Sequence, residues 1–97
     1  MDDFPFEDPP NVATLTTINV LNGDPILLVT HDDDDGTWQF LCGKTNNPDD
    51  GRIVGLGCII EQDPSVSELA DLPLGWAASR TSAGERWFRY ENPSDPE

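Results

Sequence analysis

Positive charge is what this sequence has least of. Five lysines and arginines stand against 19 aspartates and glutamates, for a formal net charge of -14. A field of that sign repels phosphate backbones and anionic lipid surfaces, which excludes direct nucleic-acid binding and membrane-surface binding from the expected roles. It favours another protein with a basic surface as partner. Histidine is scarcer still, and the single His31 has no second imidazole with which to build a proton relay. There is no phosphate-cradling glycine loop and no activated-nucleophile motif. The chain therefore reads as non-enzymatic, with no cofactor and no catalytic residue. Its two cysteines, Cys42 and Cys58, are too few for a secreted disulfide framework, and both sit in apolar strand-like runs, so both are expected to be reduced core residues. No stretch reaches the ~20 apolar residues of a membrane-spanning helix. The opening "MDDF" lacks the basic and apolar regions of a secretory leader. A cytoplasmic location is the expectation.

What is present suffices for one core. Ninety-seven residues, 36% of them hydrophobic, make a single domain, burying roughly 60–70% of the unfolded surface. Residues 1–11, "MDDFPFEDPPN", and 92–97, "NPSDPE", are acidic, proline-punctuated and aperiodic, and read as disordered tails flanking a domain over 12–91. Six of the acids lie in those tails, so most of the negative charge belongs to the domain itself.

Turn signals divide the domain. "NGDP" separates β-rich runs at 14–21 and 26–31, predicting a first hairpin, and Asp35-Gly36 closes a second hairpin with "TWQFLCG". Three strands in an antiparallel meander follow from these two turns. A two-residue loop pairs Val29 with Cys42 and His31 with Phe40; a four-residue loop pairs Val29 with Phe40 and His31 with Trp38. Either way Leu27, Val29, Trp38, Phe40 and Cys42 share one face, because strand side chains alternate, and that face is the predicted core. Residues 44–51 form a polar loop. The apolar run at 52–62 carries two glycines, which weaken a helix more than a strand, and predicts a strand bending near Gly55 or Gly57. Asp63 as N-cap with Pro64 in the first turn, or a Ser65–Glu68 capping box, starts a short helix near 64–71 whose Val66, Leu69 and Leu72 pack on the sheet. "WAASR" and "RWFRYE" then make a last hairpin around "TSAGE". The fold class is α+β: a mainly antiparallel sheet of five or six short strands with one short helix packed on it.

The chemically suggestive features are acidic. "HDDDDG" places Asp32, Asp33, Asp34 and Asp35 in one turn, and the 44–51 loop adds Asp49 and Asp50. Neither segment fits a calcium loop. With Gly36 at the sixth position, His31 and Cys42 occupy the first and twelfth, where acids are required; with Gly51 there, Asn46 and Gly57 do. No metal site is assigned, weak binding of a divalent cation at the turn being the alternative to a solvated tip. His31, Cys42 and Cys58 lack the fourth ligand of a zinc site. Trp76 and Trp87 suit either a small core or, with Arg86 and Arg89 nearby, an interface.

The succession of "DGTWQFLCG", with Trp38, Phe40 and Gly43, and of Asp63 and Pro64 leading to Leu72, Pro73 and Gly75 resembles the small acidic immunity proteins of bacterial polymorphic toxin systems, in particular a family first catalogued as a domain of unknown function. The likeness covers about residues 24 to 90. It implies a non-catalytic inhibitor of a cognate toxin protein. The six aspartates named above are the expected partner-binding residues. An acidic mimic of nucleic acid and an uncharacterised regulatory domain are the alternatives.

Overall fold

A computed structural model describes Phe6 and residues 11–33, 36–42 and 48–91. They form an α+β domain around a six-stranded, mostly antiparallel sheet. In chain order come β1 (Ala13–Thr17), α1 (Ile18–Leu21), β2 (Leu28–His31), β3 (Trp38–Leu41), a 3-10 turn (Pro48–Asp50), β4 (Gly51–Gly55), α2 (Leu56–Gln62), a 3-10 helix (Pro64–Leu69), β5 (Trp76–Ser79) and β6 (Phe88–Glu91). Across the sheet the order is β4-β1-β3-β2-β5-β6. Only β1 and β3 are parallel neighbours.

The second hairpin forms with the four-residue loop. Val29 pairs with Phe40 and His31 with Trp38, and Asp32 N–H donates to Thr37 O at 2.8 Å. Gly36, at φ +74°, supplies the left-handed turn residue. The last hairpin, joining β5 and β6, is also as expected.

The first hairpin and the three-strand meander do not form. Residues 18–21 leave the strand for α1, which starts at the Thr17 side chain accepting from Val20 N–H at 3.3 Å. Asn22 and Gly23, the latter at φ +114°, end that helix and do not turn a hairpin. Asn-Gly serves either purpose, since both need a residue tolerant of positive φ. β1 then lies between β3 and β4, with Leu15 opposite Gln39 on one side and Ile53 on the other.

The 52–62 run is strand only as far as Gly55. Beyond it the period changes from two to 3.6, and Leu56 and Ile59, both fully buried, form one inward stripe of α2. Burial of those two side chains outweighs the ~1 kcal/mol that Gly57 costs a helix. The same change of period turns Cys58 outward, so that cysteine is exposed and not a core residue; Cys42 is buried as expected. The predicted helix after Asp63 is a 3-10 segment, started by Asp63 accepting from Ser65 N–H at 3.1 Å with Pro64 in the first turn. The helical part is thus two short α-helices plus 3-10 turns, more than the single helix expected.

The core lies on one side of the sheet. Val29, Phe40 and Ala78 meet Val20, Leu56, Ile59, Val66, Leu69 and Leu72 there, with Trp38 and Cys42 also buried. Phe6, in a segment read as tail, is buried edge-on against Trp38 at a centroid distance of 4.9 Å. Trp76 and Trp87 pack against the cluster while staying partly exposed.

Candidate protein-interaction face

Alternation along six paired strands decides what the second side of the sheet presents. Register aligns Ile53, Leu15, Gln39, Thr30, Ala77 and Tyr90 in one row across every strand. Leu41, Leu28, Ser79 and Phe88 make a second row beside it. These side chains point away from the helices, because their neighbours Phe40, Val29 and Ala78 point toward them. Leu15, Leu28 and Leu41 are half-buried, and the edge residues Ile53 and Phe88 are each 68% exposed. Neither row contains a charged residue. Thr30 Oγ1, in the middle of the first row, is buried without a hydrogen-bond partner.

Three arginines belong to the opposite, helix-covered side by the same alternation, and each is engaged. Arg80 is buried and donates to Ile26 O (3.0 Å), Ser65 Oγ (3.0 Å) and Asp63 Oδ2 (2.8 Å), with its guanidinium 4.1 Å from the Trp87 ring centre. Arg89 pairs with Asp71 at 2.9 Å and donates to Glu68 O. Arg52 donates to the carbonyls of Asp49 and Gly51. The guanidinium beside Asp71 holds its carboxyl below the usual carboxylate range through a hydrogen bond and direct charge attraction.

Of the expected partner-binding residues, Asp32, Asp33, Asp49 and Asp50 can be placed; Asp34 and Asp35 lie outside the described residues. Asp32 is half-buried at the rim of the open face and accepts from Gln39 Nε2 at 2.9 Å, while Asp33 is exposed. Asp49 and Asp50 precede Gly51, which pairs with Thr17 at the far end of β1 from the 32–36 turn. Because β1 and β3 run in parallel, the two acidic segments stand at opposite ends of the sheet, roughly 16 Å apart along the strands at ~3.3 Å per residue. They flank the open face and do not converge. Among the described residues no three His, Cys, Asp or Glu side chains form a metal-binding group.

At the acidic-turn end, Phe6, His31, Trp38, Leu72 and Leu74 line a groove of about 520 Å³. His31 stacks on Trp38 at 3.8 Å, and its Nδ1, 2.8 Å from Leu72 O, carries the hydrogen and donates. Gly75 N–H donates to His31 O at 2.7 Å, locking the 72–75 segment onto the turn. The groove is open and its aromatic floor belongs to the core, so it buttresses the turn.

The open apolar rows were not recognised from the sequence. "ATLTT" alternates visibly, but "ILLVTH" is apolar on both faces. A continuous apolar run normally signals a strand covered on both sides, and nothing local shows that the described helices pack on only one of them. No helix among the described residues is long and apolar enough to cross a membrane. Comparison with protein-family models, curated proteins and solved structures finds no match.

Proposed function

We propose that this protein acts without catalysis, by stoichiometric binding of another protein that presents a basic surface, with the sheet face opposite the described helices making the lasting contact. One observation carries the reading: among the described residues the helices pack on one side of the six-stranded sheet, and the other side presents Leu15, Leu28, Leu41, Ile53, Phe88 and Tyr90, with Ala77 buried between them, in rows without a charged residue. Contiguous exposed apolar area rimmed by polar groups is characteristic of protein-binding surfaces. Asp32 and Asp33 at one end and Asp49 and Asp50 at the other supply the rim. At ~8 Å Debye length in physiological salt each group acts on its own end of an approaching partner. In its specific form the proposal is an immunity-type inhibitor of a cytoplasmic toxin, as the sequence resemblance suggests.

The test uses a partner recovered at 1:1 stoichiometry and measures association and dissociation rates from low to high salt. Replacing Asp32, Asp33, Asp34 and Asp35 by Asn is expected to slow association and flatten its salt dependence at a nearly unchanged dissociation rate. Leu41→Glu or Ile53→Glu is expected to accelerate dissociation. Faster dissociation of the four-Asn variant at unchanged association would make the aspartates the contact itself and sink the steering role. Turnover of a small molecule by the purified protein, lost on changing one acid, would end the non-catalytic reading.

A further inference from the structure

The sheet has two outer strands, β4 and β6, and their backbones are not equally available. Leu56 N–H donates to Val12 O at 3.0 Å, which makes Thr14–Val54 and Thr16–Arg52 the hydrogen-bonded pairs and turns the backbone of Gly51 and Ile53 outward. The outward carbonyl of Gly51 is already taken by Arg52 Nη1 at 2.7 Å. At the other edge, Arg80 N–H donates to Leu27 O at 3.0 Å, so Val29–Ala78 is a bonded pair and Ala77 and Ser79 turn toward β6. Tyr90 and Phe88 stand opposite them. The N–H and C=O groups of Arg89 and Glu91 therefore point away from the sheet, and among the described residues no strand pairs with that side.

We infer that β6 is a docking edge for an extended segment of the partner protein, which adds a seventh strand to the sheet; this rests on the protein-binding reading above. The chemistry of the segment follows from the two faces of β6. Phe88, 68% exposed, and Tyr90, with ring centres 6.0 Å apart, form an aromatic ledge on the open face that takes apolar side chains at alternate positions. On the other face Arg89 is paired with Asp71, and Glu91 follows on that face without a cation beside it in the strand, in a chain of net charge -14. The intervening positions of the segment are therefore basic. They lie directly opposite Arg89 and Glu91, so their backbone amides make the ladder bonds.

The probe is an alternating valine–lysine heptapeptide, read by amide hydrogen exchange of the labelled protein. It is expected to slow exchange at Arg89 and Glu91 about tenfold or more, the loss of two ladder bonds having a similar effect on affinity. Phe88 and Tyr90, already bonded to β5, stay unchanged. The same peptide N-methylated on its lysine amides, and a valine–glutamate peptide, give no protection. Glu91→Pro removes an outward N–H and no sheet bond, so the fold is retained while peptide binding weakens about tenfold. Absence of protection at Arg89 and Glu91, or binding indifferent to Glu91→Pro, overturns the edge mode. Perturbation confined to Leu15, Leu28 and Leu41 overturns it while leaving the open-face reading intact. A dimer of the protein alone that Glu91→Pro dissolves makes a second copy the occupant and overturns the basic partner.

Discussion

Arg80→Met removes the charge that ties three separate stretches of chain together while keeping the length of the apolar stem. The side chain is 2% exposed and its partner Asp63 22%. The substitution leaves Ile26 O, in a residue 1% exposed, without the Arg80 Nε donor, and leaves Asp63 without its only ion-pair partner among the described residues. Breaking one half of a buried pair costs ~3–5 kcal/mol. The low end applies, because Asp63 keeps some water and still accepts from Ser65 N–H and Ser65 Oγ at 3.1 and 2.7 Å. The stacked Trp87 ring adds ~0.5–1 kcal/mol of lost cation–π attraction. A total of ~3.5–4 kcal/mol is a large part of the ~5–15 kcal/mol that holds such a domain. In urea, at ~1–1.5 kcal/mol per molar, the midpoint falls by roughly 2.5–4 M with the slope unchanged. The companion Asp63→Asn and the double variant complete a cycle whose coupling is expected to exceed ~1.5 kcal/mol. A loss under ~1 kcal/mol for Arg80→Met at unchanged slope would show that the 63–69 segment is held by Val66 and Leu69 alone.

Phe40→Ala, at a fully buried position in the centre of the sheet, is expected to cost ~3–5 kcal/mol by urea titration; a cost below 1 kcal/mol would mean the core collapses around the gap. In the folded protein a thiol reagent should modify Cys58 and leave Cys42 untouched until unfolding, a difference read by mass of the labelled peptide; equal rates would contradict the outward stripe of α2. The Asp71–Arg89 pair lowers the Asp71 carboxyl pKa in the fold, so its contribution is present above the usual carboxylate pKa and is lost as pH falls through the lowered one. Asp71→Asn should therefore separate slightly from wild type in melting temperature at pH 7 and converge with it in strong acid, and the separation should shrink in high salt. A separation that grows on acidification would reverse the sign and refute the pairing.

Much of this architecture was legible in short stretches because its causes are local. The 33–36 turn, the last hairpin and the Asp63 cap each follow from one or two residues whose backbone preference or side-chain acceptor acts within a few positions. The face shared by Leu27, Val29, Trp38, Phe40 and Cys42 follows from strict alternation in either register; four of the five are buried, while Leu27 is half-buried at the strand end. Net charge likewise depends on composition alone, and it is composition that favours a basic partner.

Tertiary structure decided the rest, where two local readings were close in energy or where the answer lay in another part of the chain. Asn22-Gly23 could end a helix as readily as turn a hairpin, and the choice went with burial of Val20 in a core assembled from α2 and the 3-10 helix after Asp63. Gly57 argued against a helix until Leu56 and Ile59 found the sheet to pack on. The acidic segments could be counted from the sequence, but placing them at opposite ends required β1 to lie parallel to β3, a pairing made between residues 15 and 39. Whether Leu15, Leu28, Leu41, Ile53 and Phe88 are covered or bare is a property of the whole layer arrangement. A strand's alternation says which side chains share a face, and only the packed helices say which of the two faces water still reaches.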